Sequence, residues 1–426
     1  MKLASLRFGA LQVLNNANAG SNPAPVAANY SEMAKLGDPE SWKTEEFMQD
    51  WGLEAMNAHH AYARGLSGSG IRIGVFDSGV ALDHTEFAGK NHQGLKIGNL
   101  LADGTRCVAE DIVGGPTACF ATDGGRSQIE AAYWDPVLVK ALFDERWHFL
   151  AGNTTLGWGL GTHGTHVAGT MAANRDGNGM HGVAFGADFS SARLFADTWV
   201  YLDILCLFGL CNQLTTDADE TAFDDMYQQM NANRVRAINH SWGFGREPRD
   251  AEEQDRYFNS PDFAEYWRVI RDGSLLGEQL YGNGMGLIQV WAAGNSGRNR
   301  TPEASPIAGV HASLPRHFSE LEKYWLSVAN VQQTEDPDNP YVLSRYSMKC
   351  GLSMEWCISA PGTEINSTVL DSENYYVIGG TEETADGNQR LTGIDKLREV
   401  TIFDYADYTG TSMAAPHVTG ALALLF

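Results

Sequence analysis

Three short apolar segments, each followed by a glycine-containing turn, constrain the fold of this chain most strongly. They are IRIGVFDSG from Ile71, VRAINHSWG from Val235 and GMGLIQVWAAGNSG from Gly284. Short runs rich in β-branched and other apolar residues are typical of strands buried on both faces of a parallel sheet. Helical patterns separate these segments, so the sequence predicts a layered α/β domain and not a helix bundle or a β-sandwich.

Polar residues follow two of these predicted strands. Asp77 comes after the first strand, and Asn295 comes after the third. Open α/β sheets place their reactive groups at the carboxyl ends of the strands. Taken alone, each residue is more often a turn former or a helix cap. Their shared position nevertheless indicates a candidate site at one edge of the sheet.

Two glycine-containing strings add the groups that nucleophilic chemistry needs. His163 lies in GLGTHGTHVAGT, and Ser412 lies in GTSMAAPHVTG, between a tight turn and an apolar helical pattern. A serine hydroxyl becomes an effective nucleophile when an imidazole takes its proton, a carboxylate orients the imidazole and nearby donors stabilise the oxyanion. Asp77, His163 and Ser412 are therefore candidates for a catalytic triad. Asn295 is the candidate side-chain donor to the oxyanion.

The strings DSGV, HGTHVAGT, AAGNSG and GTSMAAPHVTG resemble, in this order, the signature blocks of the subtilisin-like serine proteases. The resemblance extends from about Gly65 to Phe426. It implies a three-layer α/β fold with a mostly parallel central sheet, helices on both faces and surface loop insertions. It also implies a serine endopeptidase that acts on protein or peptide substrates, forms an acyl-enzyme on Ser412 and requires no cofactor for its chemistry.

Two further histidines lie close to the candidate catalytic residues in the sequence. By the resemblance, His163 is the catalytic histidine, whereas His166 and His417 belong to helices and have structural roles. Pro416 has no N–H to donate to the Ser412 carbonyl oxygen, so we expect an irregular first turn in the helix after the serine. The N-terminus of that helix should favour negative charge that develops near Ser412.

The segment NHSWGF resembles the family stretch whose backbone pairs with the residues before the scissile bond. Ser241, Trp242 and Gly243 are therefore candidate substrate-binding residues, to which an extended peptide would add as a strand. The family commonly has a smaller residue at the position of Trp242. The indole either narrows one subsite or packs into the core.

The loop NRDGNGMHGVA carries alternating side chains with oxygen atoms. Asn174, Asp176 and Asn178 suit a hard cation that needs several oxygen ligands. The calcium loop of the family lies at this place, and Glu86 matches its more distant acidic ligand. The resemblance thus implies a structural calcium ion, although the local sequence is equally typical of an ordinary turn.

The acidic composition argues against nucleic acid as a partner. The formal net charge is −23, and a polyanion would be repelled because no basic patch is apparent. No run of about eighteen apolar residues occurs, so the sequence predicts no transmembrane helix.

The cysteines fall into three close pairs, which favours disulfides within each pair and a location outside the cytoplasm. Buried free thiols are the alternative. The spacing does not match a typical zinc site. The pairs are Cys107 and Cys119, Cys206 and Cys211, and Cys350 and Cys357.

We expect an N-terminal extension or linker over residues 1–50, which includes a poor signal-peptide pattern, and a peptidase domain over residues 51–426. The final apolar helical run has no stop signal, so we expect the domain to be truncated at its C-terminus. Insertions are expected near residues 100–157, 197–220, 245–280 and 370–400.

Loop insertions with close cysteine pairs resemble the subtilisin-like passenger domains of Gram-negative autotransporters. This resemblance implies an extracellular or cell-surface location, with a C-terminal β-barrel translocator that follows the passenger. One alternative function is a catalytically silent adhesin or binding module that keeps the protease scaffold. Another is an esterase or acyltransferase with the same triad, although the GxSxG string of α/β-hydrolases does not surround Ser412.

Overall fold

The computed structural model describes residues 35–108, 119–134, 155–160, 162–202, 212–214, 217–244, 247–277, 286–295, 306–370, 381–383, 389–391 and 403–426. Its α-helices are α1 (Trp51–Ala55), α2 (Ala58–Tyr62), α3 (His163–Ala172), α4 (Glu220–Ala232), α5 (Ala251–Phe258), α6 (Ala264–Leu275) and α7 (Thr411–Leu425). Its strands are β1 (Arg72–Asp77), β2 (Gln93–Gly94), β3 (Lys96–Gly98), β4 (Ala121–Asp123), β5 (Ile129–Trp134), β6 (Thr155–Leu160), β7 (Asp188–Arg193), β8 (Thr198–Leu202), β9 (Asn212–Leu214), β10 (Ala237–His240), β11 (Ile288–Ala292), β12 (Trp325–Gln333), β13 (Tyr341–Leu343), β14 (Cys357–Pro361), β15 (Ile365–Leu370), β16 (Thr381–Glu383), β17 (Gln389–Leu391) and β18 (Phe403–Tyr408).

A mostly parallel sheet lies at the centre of the fold. Its strand order is β13-β12-β11-β10-β1-β7-β2, and β14 also pairs with β12. The described pairings in this sheet are parallel except that of β12 with β13. The three apolar segments predicted to be strands form β1, β10 and β11, which are neighbours. The predicted α/β class is therefore confirmed.

Helices cover both faces of this sheet. Successive side chains of a strand point to opposite faces, and in β1 Phe76 and Val75 belong to different hydrophobic clusters. Phe76 shares its cluster with Phe223 of α4 and Trp267 of α6. Val75 shares the other cluster with Val167 of α3. Complete burial of such a side chain contributes about 1.5–3 kcal/mol to stability, so both helical layers hold the sheet in place.

Helix α7 forms from the apolar run after Ser412 and packs on the sheet close to α3. Ala414 and Val418 share a small cluster with Val290 of β11 and Val328 of β12. The small alanine side chains of α7 allow this helix to approach the strands closely. The N-terminal turn of α7 thereby lies at the edge where β10 and β11 end.

Two of the expected insertions contribute to the same small sheet. Strands β5 and β6 come from the region near 100–157, and β8 and β9 come from the region near 197–220. Together they form a four-stranded sheet in the order β6-β5-β8-β9. In the region near 245–280, α5 and α6 are helical and Trp267 is fully buried. The exact boundaries of the insertions stay a prediction.

Part of the expected N-terminal extension packs against the domain. Trp42 and Phe47 are buried in the cluster that contains Val75. The indole Nε1 of Trp51 donates a hydrogen bond to the carbonyl oxygen of Thr363 at 2.9 Å. Residues 1–34, including the signal-peptide pattern, lie outside the described residues.

Disulfides join Cys107 to Cys119 and Cys350 to Cys357, which confirms two of the predicted neighbour pairs. The predicted pair of Cys206 and Cys211 lies outside the described residues.

Candidate active site

Asp77 and His163 are in direct contact at the end of β1. The Asp77 carboxylate oxygen Oδ1 lies 2.8 Å from Nδ1 of His163, and it accepts the N–H of Ser78 at 2.7 Å. Both members of the pair are buried. Because a carboxylate oxygen can only accept, Nδ1 of the imidazole carries the proton in this contact, and Nε2 is then the nitrogen that can take up another.

Gly164 allows α3 to begin directly against the end of β1. A Cβ atom at Gly164 would lie 2.4 Å from the carbonyl oxygen of Gly79 and 3.1 Å from Oδ1 of Asp77. Real Cβ atoms essentially never approach a neighbour within 3.0 Å. Any other residue at this position would therefore force the start of α3 away from the segment that follows β1.

Ser412 lies in the first turn of α7 and exchanges two hydrogen bonds with Ser241. Its Oγ donates to the Ser241 carbonyl oxygen at 3.1 Å, and the Oγ of Ser241 donates to the Ser412 carbonyl oxygen at 2.7 Å. The latter oxygen is the one that Pro416 cannot satisfy, so Ser241 replaces the missing helical hydrogen bond. Asn239 donates to the Oγ of Ser241 at 2.9 Å and fixes its orientation.

The register of the central sheet brings the Asp77–His163 pair and the Ser241–Ser412 pair to the same edge of the sheet. Phe76 of β1 lies opposite His240 of the neighbouring parallel strand β10. Asp77 and Ser241 are the next residues along the two strands, so both lie at the same carboxyl edge, and neighbouring strands are about 4.8 Å apart. Through its contact with Ser241, Ser412 also lies at this edge.

Asn295 follows β11 and contacts the residue before Ser412. Its Oδ1 accepts hydrogen bonds from the N–H of Thr411 at 2.9 Å and from the Oγ1 of Thr411 at 3.1 Å. A backbone N–H can only donate, so this contact orients the amide with its oxygen toward Thr411. The amide nitrogen Nδ2 would lie 3.2 Å from a Cβ atom at Gly410. The donor of Asn295 is thus placed beside the N-terminal turn of α7.

A family model described as the subtilase family, Peptidase_S8, matches residues 68–426. The chain belongs to the subtilase family. An extracellular serine protease of Serratia marcescens is 30% identical to this subtilase, over 93% of this chain and 31% of that protein. Fervidolysin of Fervidobacterium pennivorans is 26% identical, over 88% of this chain and 37% of that protein. The chain therefore spans about a third of the length of these curated relatives.

Two solved structures are also similar to this subtilase. The crystal structure of fervidolysin gives a TM-score of 0.43 at 21% identity, over 88% of this chain and 39% of that chain. A protease from Pseudoalteromonas arctica gives a TM-score of 0.46 at 18% identity, over 90% of this chain and 86% of that chain. The α/β fold itself is defined by the strand order of the central sheet.

His166 has a structural environment, one turn after His163 in α3. It is completely buried, and its Nε2 lies 3.0 Å from the carbonyl oxygens of both Ile365 and Ala406. Its ring stacks on that of Tyr408. Burial lowers the pKa of His166 to about 3, so the ring is neutral and ties α3 to strands β15 and β18.

The side chain of Trp242 packs into the aromatic core of the subtilase. Its ring lies 5.0 Å from that of Trp291 and 4.9 Å from that of His311. Only 7% of the residue is exposed. Of the two interpretations of this indole, core packing describes the structure. The backbone of residues 241–243 stays the candidate for substrate pairing, and Ser241 itself contacts Ser412.

The residues predicted to bind calcium lie near one another, and an acidic residue that sequence reasoning missed lies beside them. Glu86 is buried and accepts a hydrogen bond from the hydroxyl of Tyr405. Asp176 accepts from the N–H of Asn178 at 3.0 Å. The N–H of Asp176 donates at 2.9 Å to Glu46, an acidic residue of the expected N-terminal extension or linker. No local motif in the sequence marks Glu46 as a partner of this loop.

The buried carboxyl groups of Glu46 and Glu86 lie close to the residues that are predicted to bind calcium. Burial raises the pKa of Glu46 to about 7 and that of Glu86 to about 8. Asn174 instead uses its amide nitrogen, which donates to the carbonyl oxygen of Ala88 at 2.8 Å. Within the described ranges, no group of three or more His, Cys, Asp or Glu residues is arranged to hold a metal ion.

Proposed function

We propose that this subtilase is a serine endopeptidase in which Ser412 is the nucleophile. His163 is the general base and acid, and Asp77 orients it. Asn295 and the N–H of Ser412 stabilise the oxyanion. The observation that carries this proposal is the buried contact between Asp77 and His163 at the sheet edge where Ser412 also lies.

Acylation begins when the Ser412 hydroxyl turns from the Ser241 carbonyl oxygen toward Nε2 of His163. The hydroxyl proton moves to Nε2 while Oγ forms a bond to the substrate carbonyl carbon, and the carbonyl π electrons move to its oxygen. Asp77 stabilises the resulting imidazolium through Nδ1. The oxyanion then collapses, the C–N bond breaks, and the departing amine takes the proton from His163.

Deacylation repeats these steps with water as the nucleophile. His163 removes a proton from the water molecule while the water oxygen attacks the ester carbon. Collapse of the second oxyanion breaks the bond to Oγ and returns the proton to Ser412. In this proposal, Asn295 and the N–H of Ser412 contribute to both steps, because donors fixed at the position where negative charge develops stabilise it.

A fluorophosphonate probe tests the nucleophile. The wild type should become labelled on Ser412, while Ser412→Ala should show no labelling and His163→Ala should label far more slowly. Ser41→Ala, which changes a serine remote from the site, serves as the matched control and should label as the wild type does. A wild-type chain that takes up no probe would instead support the catalytically silent scaffold.

Casein digestion compared with ester hydrolysis separates the endopeptidase from an esterase or acyltransferase. The proposal expects cleavage of internal peptide bonds that disappears in Ser412→Ala. Hydrolysis of small esters with intact casein would contradict it.

We propose, as the family resemblance implies, that a structural calcium ion binds near Glu86, Asp176, Asn178 and Asn174. The Oε2 atom of Glu86 is buried and has no hydrogen-bond partner within the described residues, which fits an oxygen ligand for a hard cation. When bound, the ion would offset the negative charge of the two buried glutamates. It takes no part in the bond-breaking steps.

We infer that the protein acts outside the cytoplasm, at the cell surface or as a secreted enzyme. The two disulfides support an oxidising compartment, and the relative from Serratia marcescens is described as extracellular. In the described part of the chain, no helix has both the length and the apolar character needed to cross a bilayer. The autotransporter interpretation stays a proposal from the sequence.

A further inference from the structure

The acidic side chain of Glu247 lies in a crevice between three backbone segments, two of which lead to the candidate active site. Residues 241–244 leave the end of β10, residues 293–295 leave the end of β11, and these strands are neighbours in the central sheet. The N–H of Gly309 donates to the carbonyl oxygen of Ala293 at 2.8 Å and adds a third wall. The carboxylate of Glu247 lies among these three segments.

Glycine residues provide the space that this carboxylate occupies. A Cβ atom at Gly243 would lie 2.6 Å from Oε1 of Glu247, and one at Gly309 would lie 2.6 Å from Oε2. Both distances are shorter than 3.0 Å, a separation that real Cβ atoms essentially never go below. A side chain at either glycine would therefore displace the carboxylate of Glu247. The N–H of Val310 donates to Oε2 at 3.2 Å and holds the carboxylate in the crevice.

The crevice adjoins the groups that are proposed to bind the reacting carbonyl. Gly294, whose Cβ position is 3.7 Å from Cγ of Glu247, directly precedes the oxyanion donor Asn295. Gly243 lies two residues after Ser241, whose carbonyl oxygen accepts from Ser412. The side chain of the P1 residue, which is the residue whose carbonyl is attacked, branches one bond away from that carbonyl carbon. A substrate held by both segments therefore directs its P1 side chain into the crevice.

We propose that Glu247 makes this subtilase selective for substrates with Lys or Arg at P1, an inference that rests on the proposed endopeptidase function. A guanidinium can offer two parallel N–H donors to the carboxylate, and an ammonium can offer a single compact charge. The Cβ position of Gly294 is also 2.5 Å from Sδ of Met348, so an apolar side chain is available beside the stem of the bound residue. Glu247 is half-buried, which reduces screening of the ion pair.

Charged residues of the chain itself lie close to this acid. Glu253 and Arg256 line a surface cavity together with Glu247, and Glu253 forms an ion pair with Arg249 at 2.7 Å. A P1 cation must compete with Arg256 for the carboxylate. If Glu247 serves only to hold the wall at Val310, the rate of cleavage will not depend on the charge of the P1 side chain.

Matched peptide substrates that differ only at P1 test the proposal. Citrulline has nearly the shape of arginine without its charge, and norleucine lacks the ammonium of lysine. We expect kcat/KM of the wild type to be roughly 10- to 100-fold higher for Arg than for citrulline, as expected for a hydrogen bond to a charged group. Glu247→Gln, which keeps an acceptor for Val310, should bring this ratio close to unity. Glu253→Gln, the control in the same cavity, should keep the wild-type ratio.

The ratio of two substrates in one preparation is independent of the fraction of folded enzyme. The selectivity should also decrease as salt is added, because the ion pair is partly exposed. Equal cleavage of the Arg and citrulline peptides by a wild type whose Ser412 reacts with the fluorophosphonate would overturn the P1 assignment alone. An unchanged ratio in Glu247→Gln would also overturn it. Absence of both cleavage and labelling would overturn the endopeptidase function together with this inference.

Discussion

Asp50 and His417 form a buried ion pair between the segment before β1 and helix α7. Oδ2 of Asp50 lies 3.0 Å from Nε2 of His417, and both residues are at most 1% exposed. Nδ1 of His417 lies 2.8 Å from the carbonyl oxygen of Met413. The N-terminal segment is thereby tied to the helix that carries Ser412, five residues before His417.

The ionisation of His417 depends on this contact. Burial on its own would lower the pKa of His417. The charge and hydrogen bond of Asp50, with the carbonyl groups of Met413 and Pro361, outweigh burial and raise the pKa above its ordinary value. The charged imidazole is thus favoured in the interior of the protein.

Asp50→Asn should destabilise the domain by about 3 kcal/mol, because it leaves a buried histidine without its counter-charge. Asparagine keeps an oxygen that can accept the N–H of Gly52, as Asp50 does at 2.8 Å, so helix capping is preserved. Urea unfolding measures the loss. Glu40→Gln alters an exposed acid of the same segment and should change the free energy of unfolding by less than about 0.5 kcal/mol.

A double-mutant cycle separates the ion pair from other effects of the substitution. Combined with His417→Gln, Asp50→Asn should cost much less than it does in the wild type, since no histidine remains to be paired. Additive losses would contradict a direct interaction between the two residues. Limited proteolysis of residues 35–66 should become faster in Asp50→Asn if the pair anchors this segment.

The stabilisation by Asp50 should decrease as the pH rises. A histidine whose pKa is raised on folding stabilises the protein fully below its unfolded pKa, which is about 6.5, and this contribution is lost as the pH passes the higher folded value. The difference in unfolding free energy between the wild type and Asp50→Asn should therefore be larger at about pH 6 than at about pH 9. In a His417→Gln background the difference should be independent of pH over this range. An increase of the wild-type difference toward high pH would contradict the charged state of His417.

The α/β class, the three central strands and the candidate triad residues could be predicted from sequence because their signals are local. β1, β10 and β11 each combine an apolar run with a turn, and the strings around His163 and Ser412 are specific. The pair of Asp50 and His417 spans 367 residues, and no local pattern marks it. No local pattern marks the contact of Glu46 with Asp176 or the position of Glu247 beside Gly243 and Gly309 either. These contacts arise only when segments that are distant in the sequence pack together.

If Asn295 has the proposed role, Asn295→Ala should lower kcat by about 10²–10³-fold, because the donor to the oxyanion is lost. The substitution also removes the acceptor of the Thr411 N–H, so it disturbs the start of α7 as well. Asn295→Asp keeps an acceptor for Thr411 but has no N–H donor. We expect it to retain more thermal stability than Asn295→Ala and to be at least as inactive.

Steady-state kinetics and thermal unfolding of both variants separate these contributions. If Asn295→Asp restored activity, the role of the residue would be to orient Thr411 and not to donate to the oxyanion. A change in KM alone, with kcat unaltered, would likewise contradict the oxyanion role.

Calcium should raise the melting temperature of the full chain, and a chelator should lower it. The ion would neutralise the buried Glu46 and Glu86 carboxylates, whose raised pKa values reflect the cost of charging them in the interior. At about 100 times its dissociation constant, a ligand that binds only the folded state stabilises it by about 2.7 kcal/mol. Glu86→Gln should greatly weaken this response, whereas Glu40→Gln, at an exposed position, should leave it unchanged. Identical melting temperatures of the wild type in calcium and in chelator would contradict the proposed calcium site.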